Sequence, residues 1–461
     1  MLRIFSHYFP LHVVRRLCLD LFLFMVIVVA SAFFLPRSGE MEGEGLFLSA
    51  LGYAMTMVVV SFAFGLYRPV DEDSPRIAFA RLVLAVLFCL PVAYGLILFL
   101  PWGGFSSLAM QAQVLAFSLA VLILRVSINR SQASSLFAPR ILVIGAGEDA
   151  LEVQRILLRP EQGRVEVQGF FSSEGDEEKL VDAGKIISAG SLVNVVRQLK
   201  IDEIIVAVRE RRGSALPVRE LLDCKLLGLK IFDLSSFHER VRRQVRLDSL
   251  RMSWLIYGDG FRQSLRQVFV KRMFDLAVGA VLLILSLPLQ IVAALLIVSE
   301  DRGPVFYRQE RVGLGGQVFR VLKFRSMRPD AEKKGEPLLT ASDDGRITRI
   351  GRIIRWLRID ELPQLLNVLV GDMSLVGPRP ERPYFVDRLA REIPFYGIRH
   401  CVKPGITGWA QVRYRQEVSP ADEATQKLQY DLYYVKNHTL VLDMLVLLET
   451  VHVVLMGKGA R

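Results

Sequence analysis

The sequence predicts a membrane protein of mixed α and α/β class. It would have four N-terminal transmembrane helices, a parallel-sheet domain, and a C-terminal α-rich domain with a re-entrant membrane hairpin. Three observations predict this. Apolar residues crowd the first 130 positions and one later block. Between those blocks, strand-like and helix-like segments alternate after a glycine turn. Arginines and lysines gather at the flanks of the apolar blocks. In a chain of 461 residues, 52% hydrophobic with mean hydropathy +0.34, this is the pattern of membrane segments joined to water-soluble parts. The net charge of +11 then reads as cytoplasmic loops and anionic headgroups, and nucleic acid is not expected as a partner. Cys18, Cys89, Cys224 and Cys401 share no metal-ligand spacing, which argues against a disulfide framework or a zinc site.

Residues 17–35, 46–66, 77–100 and 108–124 each approach the ~20 residues that cross a bilayer as helix. Arg3, Arg15 and Arg16 precede the first segment, and the loop after it carries Glu40, Glu42 and Glu44 against Arg37. Arg68, Arg76 and Arg81 border the second loop, and Arg125, Arg130 and Arg140 follow the fourth segment. The positive-inside rule therefore sets the N-terminus and everything beyond residue 125 in the cytoplasm, with 1–130 as a four-helix transmembrane region.

Residues 138–240 change character. "RILVIGAGEDALEVQRILL" reads as strand, glycine turn and helix, and "VEVQGFFS", "KIISAG", "DEIIVAV" and "LKIFDL" follow as strands. Alternating β and α predicts a Rossmann-like domain. Gly145, Gly147 and Ala150 fit G-x-G-x-x-A in the right context. That turn either holds a nucleotide or only reverses the chain. Glu174 and Asp176 lie beyond "FFSS" and do not end the second strand, so the balance falls against bound NAD or another nucleotide. Residues 241–265 read as a basic linker.

The last domain, 266–461, opens with the second apolar block. Residues 274–299 are long enough to span, but Ser286 and Pro288 sit at the centre, where proline removes a backbone hydrogen bond and bends a helix. Lys271 and Arg272 precede the block; Arg302, Arg308 and Arg311 follow it. A re-entrant hairpin hinged at Ser286 and Pro288 keeps both basic flanks in the cytoplasm, and a kinked spanning helix is the alternative. "TRIGRIIRWLR" then places Ile350, Ile353, Ile354 and Leu357 on one helical face and Arg349, Arg352, Arg355 and Arg358 on the broad opposite side. That helix either covers a core or lies at headgroup level.

Chemistry-bearing residues concentrate next. Asp360 and Glu361 precede Pro363, which suits the first turn of a helix, so the pair reads either as a cap or as reactive carboxylates beside a positive helix end. Neighbouring motifs supply Arg308, Arg311, Lys323, Arg325, Arg379 and Lys403. Many cations around few acids suit a phosphorylated substrate. An acid there can hold a divalent metal or attack phosphorus. The histidines show no ligand spacing.

Residues 266–461 resemble the bacterial sugar transferase family, the monotopic phosphoglycosyl transferases. The matching stretches are "KRMFDLAVG", "GPVFYRQERVG", "FRVLKFRSM", "RIDELPQLLNVLVGDMSLVGPRP", "KPGITGWAQV" and "YDLYYVKNHTLVLD". The whole chain is similar to the large polyprenyl-phosphate hexose-1-phosphate transferases of exopolysaccharide and exosortase systems. The resemblance implies transfer of a hexose-1-phosphate from a UDP-sugar to polyprenyl (undecaprenyl) phosphate. Asp360 would attack the β-phosphorus, UMP would leave, and an aspartyl-phosphosugar would form on the way to exopolysaccharide or glycan assembly. It further implies Mg2+ or Mn2+ at Asp360 and Glu361, with Glu361 assisting as metal partner or proton acceptor. Lys323 and Arg379 match basic positions of the family and would bind substrate phosphate, with Arg325 and Arg308 joining them from the same cluster of cations, and Asp443 matches a family acid and would be a further acid. The expected setting is the bacterial inner (cytoplasmic) membrane, with the active site on the cytoplasmic side among membrane lipids. A homodimer and downstream glycosyltransferases are the expected protein partners. Two rival readings rest on Gly145, Gly147 and Ala150: a membrane-tethered NAD-dependent sugar-nucleotide enzyme, which lacks a Tyr-x-x-x-Lys pair there, and a non-catalytic nucleotide-binding scaffold.

Overall fold

A computed structural model describes residues 2–4, 7–9, 11–34, 43–63, 114, 116, 118–121, 139–158, 166–172, 180–187, 190–208, 216–247, 261, 263–328, 345–414 and 420–455. The described residues are mostly helical, with one larger parallel sheet. The chain divides into two compact units, one built on Tyr8–Arg242 and one on Arg243–Arg461.

In the first unit, α1 (Leu11–Phe34) and α2 (Gly43–Ala63) occupy the first two expected membrane segments. The third, 77–100, lies outside the described residues, as does most of the fourth, so the structure does not establish four transmembrane helices. The sheet follows: β1 (Arg140–Ile144), α3 (Glu148–Leu157), β2 (Glu166–Phe171), β3 (Ile186–Ile187), α4 (Leu192–Leu199), β4 (Glu203–Val206), α5 (Val218–Leu226), β5 (Lys230–Asp233) and α6 (Leu234–Arg242). All five strands are parallel in the order β3-β2-β1-β4-β5. Strand alternation explains the double winding. Ile141 and Val143 pack with Ala150 and Val153 of α3, while Leu142 and Ile144 pack with Leu192, Val195 and Val196 of α4.

The second unit begins earlier than the sequence suggested. Within the stretch read as linker, Val245 joins the core, its amide donates to Gln429 O at 3.1 Å, and Arg243 O accepts from Trp409 Nε1 at 3.0 Å. Next comes α7 (Leu265–Asp301), a 37-residue helix. Ser264 and Gln267 form a capping box at its start, which satisfies two otherwise orphaned amides. Among the described residues it is the one helix long and apolar enough to cross a membrane. Pro288 lies inside it and has no amide to give. Ser286 Oγ donates to Leu282 O at 2.6 Å and accepts from Gln290 Nε2 at 2.9 Å, so polar side chains crowd the turn that the proline weakens.

Both arms of α7 are anchored within this unit. Arg272 donates to the carbonyls of Val368 and Leu369 at 2.6 and 2.7 Å, and Asp275 accepts from the Leu375 amide at 3.2 Å. At the far end Glu300 accepts from the Arg349 and Ile350 amides at 2.8 and 3.2 Å. The buried positions are Asp275 and Gly279 on one arm and Gln290, Ala293 and Ile297 on the other, with none in between. Arg272, at the basic flank of the apolar block, also closes the end of a neighbouring helix.

A hairpin of β6 (Phe306–Val312) and β7 (Val318–Phe324) follows. Then come α8 (Arg349–Trp356), a 3-10 turn (Ile359–Glu361), α9 (Gln364–Val370), and β8 (Ser374–Val376). The unit continues with α10 (Pro383–Glu392), a 3-10 segment (Tyr396–Cys401), β9 (Gly405–Thr407), α11 (Trp409–Arg413), α12 (Pro420–Asn437) and α13 (Leu440–Leu455). β8 pairs parallel with β9. Leu365, Val368, Leu375, Trp409, Tyr434 and Leu442 form the core behind this pair. The apolar stripe foreseen on α8 divides. Ile350 and Ile354 pack toward Ala293, Ile297 and Phe324, whereas Ile353 (55%) and Leu357 (45%) are exposed.

Candidate active site

The Asp360–Glu361 turn is set by its neighbours. Arg358 takes the left-handed conformation (φ 59°), which ends α8 and starts the 3-10 turn. Pro363 is the residue preceding α9, and no side chain caps either helix start there. The helix-cap reading of Asp360 and Glu361 is thus overturned: neither carboxylate bonds the amides it would cap.

Across from the turn, Asn367 fastens α9 to the hairpin. Its Oδ1 accepts from the Leu322 amide and its Nδ2 donates to Arg320 O, both at 2.9 Å. This fixes the register of Lys323 on β7. The loop after β8 carries Arg379 and is held by close backbone approach. A Cβ on Gly377 would lie 2.2 Å from Lys403 O, so only glycine fits. Gly377 donates to Thr407 O at 2.9 Å, and Gly405 donates to Pro378 O at 3.0 Å.

These elements converge on Glu361, which is buried. Its Oε1 accepts from Arg379 Nη2 at 2.9 Å and from Lys323 Nζ at 3.1 Å. Burial alone would raise this carboxyl, but Arg379, Lys323 and Arg358 outweigh it and hold Glu361 well below the usual carboxylate range. Burial pushes the Lys323 ammonium down, against the pull of Glu361. Glu361 in turn raises Arg379. Asp360 differs. It is half-buried, and among the described residues no donor bonds its carboxylate. Burial, then the charge of Glu361, raises Asp360 above an ordinary aspartate, while Lys323, Arg355 and Arg358 pull it down. One carboxylate is locked between cations; the adjacent one is left for a ligand.

The hairpin sorts the other candidates by strand parity. Lys323 pairs with Tyr307 and Phe319 with Arg311, so Tyr307, Gln309 and Arg311 share the Lys323 face. Arg308 pairs with Leu322 on the opposite face and is exposed, so it is not brought to Glu361. Arg311 is the cation that parity favours: its Nη1 donates to Pro380 O at 2.9 Å. Burial, with Arg379 and Arg382 nearby but opposed by Glu381, pushes Arg311 down to about 10. Arg325 is buried and paired with Asp301 at the end of α7, not with Asp360 or Glu361. Asp443 is buried too; it accepts from Lys271 Nζ and from Tyr434 OH, both at 2.7 Å, in a brace between α7 and α13. Lys403 stands near Arg272 and Asp275. Ser286 and Pro288 lie mid-way along α7, in the turn where Ser286 bonds Leu282 O and Gln290.

Gly145 and Gly147 do form the turn after β1. Gly145 has φ 115°, and a Cβ there would lie 2.5 Å from Ala207 O. Ala150 is buried against the sheet. Glu148 and Asp149 occupy the first turn of α3, where a bound pyrophosphate would meet their negative charge.

Among the described residues no group of three or more metal-binding side chains occurs. The donor set nevertheless fits a hard cation that keeps few protein ligands. Among the described residues the Asp360 carboxylate carries no hydrogen bond, and both cations on Glu361 fall on Oε1, leaving Oε2. Oxygens of this kind, completed by substrate phosphates, are the usual surroundings of Mg2+.

Comparison with known proteins places this geometry in context. Residues 266–457 match the family described as bacterial sugar transferase. The chain is similar to the UDP-N-acetylgalactosamine-undecaprenyl-phosphate N-acetylgalactosaminephosphotransferase of Aeromonas hydrophila, at 40% identity over 263 residues, 57% of this chain and 61% of the relative. It is 34% identical over 300 residues to a UDP-glucose:undecaprenyl-phosphate glucose-1-phosphate transferase of Klebsiella pneumoniae, covering 64% of this chain and 63% of the relative. A protein of the same printed activity from Caulobacter vibrioides is 44% identical over 183 residues, 39% of this chain and 68% of that relative. The chain therefore spans less than two thirds of the first two relatives' own length.

Proposed function

The chain belongs to the bacterial sugar transferase family, and on that premise we propose that it transfers a hexose-1-phosphate from a UDP-sugar to undecaprenyl phosphate, with Asp360 as nucleophile. The observation that carries this is the contrast within one dipeptide: Glu361 is held by Lys323 and Arg379, while Asp360 carries no hydrogen bond among the described residues.

In the first step an Asp360 oxygen forms a bond to the β-phosphorus as the bond from that phosphorus to the bridging oxygen breaks. UMP takes the electron pair and leaves. In the second step an oxygen of undecaprenyl phosphate attacks the same phosphorus, and Asp360 departs as a carboxylate. Two displacements let one carboxylate serve a water-soluble donor and a lipid acceptor. Lys323 and Arg379 face phosphate oxygens on their free donor positions while Glu361 fixes their heads. Asp360 and Glu361 Oε2 would hold Mg2+ or Mn2+, which would neutralise diphosphate charge when bound.

The setting we propose is the cytoplasmic face of the bacterial inner membrane, with α7 re-entrant. Both arms of α7 are fastened to the same compact unit, through Arg272 and Asp275 at one end and Glu300 at the other. A straight spanning helix would carry those ends to opposite sides. The central residues are apolar and outward-facing: Ile284 is 69% and Leu285 72% exposed. Lipid is the surrounding that suits them.

Purified full-length protein with Mg2+, undecaprenyl phosphate and a panel of UDP-glucose, UDP-galactose and UDP-N-acetylgalactosamine should release UMP from at least one donor. No UMP from any donor would overturn the reading. Full UMP release by Asp360→Asn would overturn the nucleophile assignment.

A further inference from the structure

Arg399 is buried on the 3-10 segment Tyr396–Cys401, and both terminal nitrogens of its guanidinium are bonded inside the protein. Nη1 donates to Tyr396 OH at 2.6 Å. Nη2 donates to Asp431 Oδ2 at 2.7 Å and to the backbone carbonyl of Arg379 at 3.0 Å. Asp431, on α12, is itself buried.

The loop that this carbonyl belongs to is pinned along its length. Pro378 O accepts from the Gly405 amide, Pro380 O from Arg311 Nη1, and Glu381 O from the Val312 amide. Each of those contacts holds a neighbour of Arg379. The bond from Arg399 holds Arg379 itself, and it is anchored by a buried carboxylate on a different helix. The guanidinium of Arg379 is the group that grips Glu361, so an error in its backbone is passed directly to the head.

We infer that Arg399, held in turn by Asp431 and Tyr396, is a positioning residue that aims Arg379 at Glu361 and the substrate phosphate. The inference rests on the proposed active site. The plainer reading is that Arg399 and Asp431 only join the 3-10 segment to α12. A buried ion pair can be kept for that reason, although such pairs contribute little net stability compared with apolar packing. The two readings differ in whether the effect of Arg399 passes through Arg379.

A double-mutant cycle on the full chain separates them. Arg399→Lys keeps a positive charge for Asp431 but loses the fork that reaches Asp431 and Arg379 O together. It should lower kcat/KM for UMP release about tenfold or more in the wild-type background, and less than about twofold in an Arg379→Ala background. An equal fold-loss in both backgrounds would overturn the inference. Where turnover is too low to read, stabilisation of the protein by added UDP supplies the same cycle with the same two outcomes. If Arg399→Lys does not fold, Tyr396→Phe takes its place, since it removes one acceptor and leaves the charges intact. A wild type that turns over but shows an additive cycle overturns this inference alone. A wild type that releases no UMP from any UDP-sugar overturns the active-site reading with it.

Discussion

Arg379 Nη2 and Glu361 Oε1 meet at 2.9 Å across 18 residues of chain, and Lys323 reaches the same oxygen at 3.1 Å. This arrangement divides labour between adjacent carboxylates. Glu361→Gln would leave the two cations facing a neutral amide and free them to swing onto Asp360. UMP release should fall about 10²-fold, the scale of a lost preorganised contact. Steady-state kinetics check it, and near-wild-type turnover would contradict the division.

The pH profile carries a signed prediction. Burial and Glu361 raise Asp360, and attack on phosphorus needs its ionised form, so the acid limb of kcat/KM should lie above the ordinary aspartate range. Lys323→Met removes a charge that lowers Asp360 and should move the limb to higher pH. Glu361→Gln removes one that raises it and should move the limb to lower pH. A limb that stays put in both variants would argue that another group controls it.

Glu361 also makes a stability prediction. Its folded pKa is depressed, so its contribution is present above the unfolded carboxylate value and is lost as pH falls through the depressed one. Thermal unfolding should show wild type losing more of its Tm than Glu361→Gln on acidification below the ordinary glutamate range. Equal losses would show that the cations do not stabilise Glu361.

Strand parity separates two arginines three residues apart. Arg308 points away from the Lys323 face, so Arg308→Ala should change UMP release by less than about twofold, the scale of a surface substitution. Arg311 lies on that face and bonds Pro380 O, so Arg311→Ala should cost about tenfold or more by loosening the Arg379 loop. The opposite order would contradict the hairpin register.

A methyl group tests the loop. Gly377→Ala would set a Cβ 2.2 Å from a backbone oxygen of Lys403, whereas Gly397 has nothing within 4 Å of a Cβ. Overpacking at Gly377 should cost about 1–3 kcal/mol in thermal unfolding, with Gly397→Ala near neutral as control.

Local pattern carried part of this account. Alternating β and α in 138–240 foretold the parallel sheet, because its central strands β1 and β4 bury both faces. Asp360, Glu361, Lys323 and Arg379 were legible as acids and cations in dense motifs. Their sorting into a locked and an open carboxylate was not, since it depends on contacts 18 and 38 residues away. Arg308 and Arg311 both read as cations of one motif, and which of them shares the Lys323 face depends on strand parity. Arg325 read as a site residue from its place in a cluster of cations, and Asp443 from its match to a family acid; in the fold Asp301 pairs with the first and Lys271 with the second. Lys271 and Arg272 were legible as flanking charges, whereas the buried partners each one bonds were not. Arg399 and Asp431 carried no sequence signal linking them. Only the fold brings a 3-10 segment, α12 and the Arg379 loop to one point.

The covalent step is the centre of the account. Intact-protein and peptide mass spectrometry of the full chain, quenched after exposure to an active UDP-sugar without undecaprenyl phosphate, reads it directly. One added hexose phosphate is expected, located on Asp360, absent from Asp360→Asn, and discharged by adding undecaprenyl phosphate. An adduct on another residue, or UMP release with unmodified Asp360 throughout, would contradict it.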